Sequence, residues 1–199
     1  MQNTNKLPQT KNSSWAFHND SVNNWAYWDK AFTPEECQQI IEIGESRIPI
    51  KGVATDADAG YRECDIAWLY ACDDLEWVFR RITDISLSLN DRFFKFDLFG
   101  LVEGVQFTKY NSPGDKYGAH LDTVLNGAVR KLSISLQLSD DTSYEGGDLL
   151  LRTTEEPTKM SREQGYVAVF PSYVLHEVTP VTSGTRYSLV TWITGKPFK

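Results

Sequence analysis

The sequence predicts a mainly β fold of the α+β class, in which two or more N-terminal helices pack on one face of a β-sandwich or jelly roll. Two segments before Asp91 repeat apolar residues at helical spacing, and beyond Asp91 short β-rich runs alternate with turn signals. The 199 residues show no internal repeat and no linker, so a single domain over 15–199 is expected after a tail over 1–14.

The tail is rich in Asn, Gln, Thr, Ser and Lys and reads as disordered. The stretch Trp15 to Trp28 carries three Trp and one Tyr, which should dock on the body. The first helix has a strong start signal: Thr33 as N-cap, Pro34 at the first helical position and Glu36 completing a capping box. Cys37, Ile40, Ile41 and Ile43 supply its apolar face, and it ends near Gly44 to Ser46. Lys51 to Glu63 has no periodicity and reads as a mobile loop. A short strand covers Asp65 to Tyr70. Asp73 or Asp74 caps a second helix that runs to about Asn90 and turns Leu75, Val78, Phe79, Ile82, Ile85 and Leu89 to one side. Strands are expected over 92–99, 104–110, 130–138, 147–152, 165–170, 174–178 and 184–193. Asn111-Ser112-Pro113-Gly114, Asn126-Gly127, Gly146-Gly147 and Ser183-Gly184 are among the turns that separate them.

The net charge of −7 argues against a nucleic-acid partner, which a basic face usually accompanies. No apolar run approaches the ~20 residues that span a bilayer, and the polar N-terminus lacks an apolar signal region. Three cysteines, Cys37, Cys64 and Cys72, without a CxxC spacing read as reduced thiols of a cytoplasmic protein, with a Cys64–Cys72 bridge as the lesser reading.

The chemistry concentrates in four residues. His120 and Asp122 are two apart on an expected strand, so both side chains share a face, and His176 follows a buried-looking run, Val167 to Phe170. Two imidazoles and one carboxylate form the facial set that holds non-haem Fe(II) with open positions. Arg186 follows His176 by ten residues, and its planar guanidinium suits the carboxylate of an organic co-substrate. Ser188 shares its strand face. Taken one at a time, a core histidine, a strand-end aspartate and a solvated arginine would explain them; as a set they point to a metal site.

With Tyr110 to Asp122, Tyr144-Glu145-Gly146-Gly147-Asp148-Leu149, Phe170-Pro171-Ser172, His176 to Val181 and Arg186 to Trp192, the chain resembles the Fe(II)- and 2-oxoglutarate-dependent dioxygenases of the prolyl 4-hydroxylase-like branch, over residues 25–196. The resemblance implies a double-stranded β-helix supported by N-terminal helices. It implies His120, Asp122 and His176 as iron ligands, and Arg186, with Ser188 beside it, as holding the far carboxylate of 2-oxoglutarate. Tyr110 matches a family Tyr facing the co-substrate, and Thr108, Ser135 and Gln137 fall where strands line its pocket. A Tyr that some members place near Gln137 for the same carboxylate is missing. Gly146-Gly147 reads as a turn. Tyr117 and Trp192 match aromatic positions near the substrate, and Arg62 closes the loop that would fold over an extended peptide. The implied reaction consumes O2 and 2-oxoglutarate, yields succinate and CO2, and takes ascorbate as a reductant. Asp122, where halogenases have a small residue, implies hydroxylation.

The implied substrate is proline in a peptide or protein, as for procollagen-proline 4-dioxygenases. The alternatives are a free amino acid or other small molecule, and a non-catalytic metal-binding β-barrel. Nucleic-acid demethylation is disfavoured, because Arg186 to Trp192 lacks the second Arg of the RxNxTxR pattern. Oligomeric state is not legible.

Overall fold

A computed structural model describes residues 22–47, 50–51, 60–122, 124–125 and 127–197. The expected tail over 1–14, Trp15 and most of the 51–63 loop lie outside the described residues. In chain order the elements are β1 (Ala26–Trp28), α1 (Pro34–Ser46), β2 (Ile50–Lys51), β3 (Arg62–Glu63), β4 (Asp65–Leu69) and α2 (Glu76–Leu89). There follow β5 (Leu98–Leu101), β6 (Val105–Asn111), β7 (Lys116–His120), β8 (Val124–Leu125) and β9 (Ala128–Gln137). The last are β10 (Tyr144–Gly146), β11 (Leu149–Leu151), β12 (Thr158–Lys159), β13 (Val167–Pro171), β14 (His176–Val178) and β15 (Val181–Gly195).

The start of α1 is the one read from sequence. The Thr33 N–H donates to Glu36 Oε2 (2.9 Å) and the Glu36 N–H to Thr33 Oγ1 (3.3 Å), two helix-end groups satisfied reciprocally. Cys37 and Ile40 are buried, and Gly44 lets the helix lie on Phe107 of β6: a Cβ there would come within 2.5 Å of that ring. Thr33→Ala should cost about 1 kcal/mol and lower the melting temperature by a few degrees. Thermal unfolding measures it, and an unchanged midpoint would show that the cap adds nothing.

Two expectations fail in instructive ways. Neither Asp73 nor Asp74 caps α2; both are exposed, and Leu75 takes the N-cap position without a side-chain bond. A turn replaces the cap, with the Leu75 and Glu76 N–H groups both donating to the Cys72 carbonyl (2.9 and 2.8 Å), because burying Leu75 sets the register. The expected strand over 92–99 begins only at Leu98. Before it, Asn90–Phe94 forms a π-helical turn that continues α2. Lys95 stops it in the left-handed region (φ 60°), and the Asn90 amide clamps the Phe96 N–H and C=O, each at 3.0 Å. Aromatic richness there serves packing, Phe94 being fully buried, rather than a strand. Of the Trp15–Trp28 stretch, Trp25 packs half-buried and Tyr27 stacks on Tyr166, while Trp28 is exposed.

The strands form two sheets in a jelly-roll arrangement. The larger runs β1-β13-β9-β15-β6-β4-β2, with β5 and β10 on β15 and β8 on β9; the smaller runs β12-β11-β14-β7-β3. Every pairing is antiparallel. Period-2 alternation divides the large sheet into two faces. Leu132, Ile134, Leu136, Val105, Phe107, Leu189 and Ile193 join the helices in one apolar core. The opposite face, towards the small sheet, carries the buried polar residues Ser133, Ser135 and Gln137 of β9, Gln106 and Thr108 of β6, and Arg186 and Ser188 of β15. Polar groups removed from water demand partners, so this face marks the working interior. The three thiols are free, and Cys64 is buried while Cys72 is exposed.

Candidate metal centre and adjoining pocket

His120 and His176 come from neighbouring strands of the small sheet and stand opposite each other in the β7–β14 register. Asp122 lies just past the end of β7, not on the strand as expected. Its N–H donates to the Ser172 carbonyl (2.9 Å), which turns the carboxylate back between the rings. The His120 and His176 Nδ1 atoms lie 2.7 and 2.9 Å from the Gly118 and Val174 carbonyls. A carbonyl only accepts, so Nδ1 carries a proton and Nε2 is the atom left to coordinate a metal. Those Nε2 atoms stand 3.7 Å (His120) and 3.3 Å (His176) from the two Asp122 oxygens. All three donors lie within 4.8 Å of one another.

The electrostatics agree with a neutral His120 beside an ionised carboxylate. Burial works against the Asp122 charge, yet the His176 contact and both imidazoles hold its carboxyl well below the usual range. Burial, reinforced by His176, pushes His120 down to about 4. Ser133 Oγ donates to Asp122 Oδ2 (2.8 Å) and adjoins Ser172 Oγ (3.1 Å). Tyr117 stacks on the His120 ring (3.6 Å between centroids, 18°), fixing its plane. Two neutral nitrogens and one carboxylate oxygen, each oriented by a further hydrogen bond, fit a divalent transition metal.

A cavity of about 430 Å³ opens from these residues between the sheets. At its other end lies Arg186, 3% exposed. Among the described residues its one hydrogen bond is to Ser188 Oγ (3.4 Å), the Tyr110 ring centroid lies 5.4 Å from its guanidinium carbon, and no carboxylate pairs with it. Burial pushes the Tyr110 phenol well up, so it stays neutral. An uncompensated buried guanidinium costs several kcal/mol unless an anion reaches it. Thr108 Oγ1, on the same wall, is also buried without a partner. These residues fit the far carboxylate of a dicarboxylate whose other end reaches the metal.

Tyr117 and Trp192 both line the cavity, as does Arg62, which lies over the Tyr117 ring (4.5 Å) and donates to Gln106 Oε1 (2.6 Å). Gln137 is displaced from its expected place on that wall: its Nε2 donates to the Tyr144 hydroxyl (2.9 Å) in a small pocket behind Arg186. Within the Tyr144 to Leu149 motif only the Gly146-Gly147 turn was given a role, and both glycines do have positive φ, at 72° and 61°. Trp68, Gln106 and Arg130 were also missed. Trp68 tilts against Trp192 (6.1 Å), and Arg130 lies 3.8 Å above the Trp192 ring, held by Glu103 at 2.8 and 2.5 Å. The alternation that puts Thr108 on the wall, carried two residues back along β6, would have found Gln106.

A model of the 2OG-Fe(II) oxygenase superfamily matches residues 105–194. A PKHD-type hydroxylase of Prochlorococcus marinus is 46% identical over 93 residues, which are 46% of this chain and 42% of that protein. One from Klebsiella pneumoniae is 36% identical over 118 residues, 54% and 50% of the two chains. The matches thus span half or less of these relatives' length. A Pseudomonas putida prolyl-4-hydroxylase superposes with a TM-score of 0.71 at 20% identity, covering 87% of this chain and 94% of that one. A Trichoplax adhaerens prolyl hydroxylase, solved with a hypoxia-inducible-factor peptide fragment, gives 0.71 at 18% identity over 87% and 84%. At such identities the likeness is one of fold.

Proposed function

We propose, from the match of residues 105–194 to the 2OG-Fe(II) oxygenase superfamily and the likeness to PKHD-type hydroxylases, that the chain is an Fe(II)- and 2-oxoglutarate-dependent hydroxylase whose substrate is proline in a peptide or protein. One observation carries the reaction class: a single cavity has a two-His, one-carboxylate set at one end and a buried arginine with no counter-ion among the described residues at the other.

His120, Asp122 and His176 would hold the iron, and Arg186 with Ser188 the far carboxylate of 2-oxoglutarate. Bound iron and 2-oxoglutarate supply the activation of O2, with succinate and CO2 as co-products and one oxygen entering a substrate C–H bond. The protein's own residues do the rest. Tyr117 and the two Nδ1 hydrogen bonds fix the ring planes. The sheets exclude bulk water around Arg186, and the Glu103–Arg130 pair braces Trp192 as a wall for the substrate. Peptidyl proline as substrate draws on the fold likeness to prolyl hydroxylases, one of them solved with a peptide. A second reading, a free amino acid or other small acid, draws on Arg62: it faces the cavity with no carboxylate partner among the described residues.

Incubation with Fe(II), 2-oxoglutarate and ascorbate, against proline-rich peptides and free amino acids, separates the two by mass spectrometry. The expected product is a peptide heavier by one oxygen atom, with stoichiometric succinate. Oxygen gained only by free amino acids would overturn the peptide reading. No succinate under any condition would overturn the reaction class.

A further inference from the structure

Gln106 is a buried side chain whose donors are unspent. It is 5% exposed and lines the cavity from β6. Arg62 Nη2 lies 2.6 Å from one end of its amide, and a guanidinium only donates, so that end is the oxygen. The nitrogen is thereby turned to the other side. Among the described residues no acceptor takes either of its hydrogens, and a buried polar group without a partner costs free energy. Arg62 is itself held in place: its Nε donates to Cys64 Sγ (3.3 Å), and its guanidinium lies over the Tyr117 ring. A side chain needed only to serve Arg62 would better be a glutamate, because a carboxylate would offset the guanidinium charge. Glutamine forgoes that and presents an NH2 group instead.

The sheet register says what this group faces. Gln106 stands opposite Trp68 of β4 and Val190 of β15, and all three line the cavity. The Tyr110–Arg186 pair lies four residues along β6, about 13 Å away. Gln106 therefore stands well apart from the anion that Arg186 would hold. Further along β15, two residues beyond Val190, Trp192 pairs with Ser133, whose hydroxyl bonds the Asp122 carboxylate. Gln106 thus flanks the metal end of the cavity, two strands to the side of Ser133, or about 10 Å. The space between them is where a molecule to be oxidised fits.

We propose that the Gln106 amide nitrogen binds a carbonyl oxygen of the substrate, and that Arg62 is the positioning residue that keeps this nitrogen turned towards it. This rests on the hydroxylase reading given above and names the group by which the substrate is held. A carbonyl is the fitting partner: it accepts N–H bonds, needs no counter-charge, and adjoins the proline ring both as a peptide bond and as a free carboxyl. Trp68, opposite Gln106, offers an apolar face for the carbon skeleton beside that carbonyl. The Arg62–Gln106 bond thereby gains a purpose, since an amide free to flip would present its oxygen to the substrate's oxygen.

Titration of the protein loaded with Mn(II) and 2-oxoglutarate, without O2, reads substrate binding apart from turnover. Two probes are compared: a C-terminally amidated proline-rich peptide, whose carbonyls are all amides, and L-proline, whose carbonyl is a free carboxyl. Gln106→Leu should weaken the probe that binds by about tenfold, the effect of leaving one buried acceptor without its donor. It should leave the affinity for 2-oxoglutarate within about twofold. Gln106→Glu keeps the size and the Arg62 bond but puts oxygen where the nitrogen was. It should weaken the probe at least as much, and it decides the matter if Gln106→Leu does not fold. Weakening of the peptide assigns the contact to a main-chain carbonyl, and weakening of L-proline to a carboxyl. Arg62→Met should weaken the same probe in the wild-type background and add less than about twofold to Gln106→Leu, since two residues acting through one contact are not additive. Additive losses would overturn the positioning role of Arg62. Unchanged probe affinity in both Gln106 variants overturns the proposal, as does an equal loss of 2-oxoglutarate affinity. If the wild-type protein holds 2-oxoglutarate but neither probe, the proline reading itself fails and the proposal falls with it.

Discussion

Asp122→Ala should abolish succinate formation and weaken Fe(II) or Mn(II) binding by more than about 100-fold, since loss of a residue that merely orients a ligand already costs 10- to 100-fold. Asp122 is the sole anion among the three donors, and it is already ionised: both imidazoles hold its carboxyl far below the ordinary range against the pull of burial. A metal dication entering the site therefore displaces no proton from it. Without the carboxylate, two neutral nitrogens would have to hold a dication in a largely buried pocket, with nothing to offset the lost hydration. Ser133 provides a graded comparison. Its hydroxyl donates to Asp122 Oδ2 and touches no other metal donor. Ser133→Ala should thus weaken metal binding by about 10- to 100-fold while the triad stays intact. Metal titration and succinate release measure both variants; undiminished turnover in Asp122→Ala would overturn the triad.

The metal set was legible because strand periodicity places residues that are far apart in sequence. His120 and Asp122 share a side by alternation, and the antiparallel register brings His176 opposite His120. Even so, Asp122 reaches its place through a main-chain bond to Ser172 rather than by lying on the strand, and a tertiary contact of that kind leaves no mark on local spacing. Helix α1 was legible because its capping box is a local signal. Helix α2 was legible in its extent and apolar face but not in its cap, because burial of Leu75 overrode two nearby aspartates with good capping chemistry. The π-helical turn was hidden for a similar reason: Phe93, Phe94 and Phe96 look like a strand until the Asn90 side chain is seen to close the chain around them. Tyr144 was unreadable because its relation to Gln137 spans a tight loop, and its neighbours Gly146 and Gly147 announced only a turn.

The polar face of the large sheet links fold to function. On β15, Leu189 and Ile193 point to the helices, while Arg186, Ser188, Val190 and Trp192 line the cavity. A one-residue slip of this strand would place the guanidinium in the apolar core. Four neighbouring strands, β5, β6, β9 and β10, hold its register.

Arg186→Leu tests that arrangement most directly, and its two effects should have opposite signs. Ligand-free protein should melt at the same temperature as the wild type or higher, because the substitution removes a buried charge with no counter-ion among the described residues. Replacing buried charges by apolar residues of similar volume is often neutral or stabilising by about 1–4 kcal/mol. Binding should suffer in proportion: removing one partner of a buried charge pair costs about 2–5 kcal/mol, so the 2-oxoglutarate requirement should rise at least about 30-fold. The two effects meet in one measurement. A ligand at about 100 times its dissociation constant stabilises the native state by about 2.7 kcal/mol. Wild-type protein should therefore gain thermal stability with 2-oxoglutarate, and Arg186→Leu at the same concentration should gain almost none. Arg186→Lys separates charge from shape, since an ammonium keeps the attraction but loses the planar fork; its affinity should fall between the other two. A variant that is much less stable without ligand would mean that Arg186 serves the fold. One that keeps the full ligand-induced shift would mean that the far carboxylate is held elsewhere.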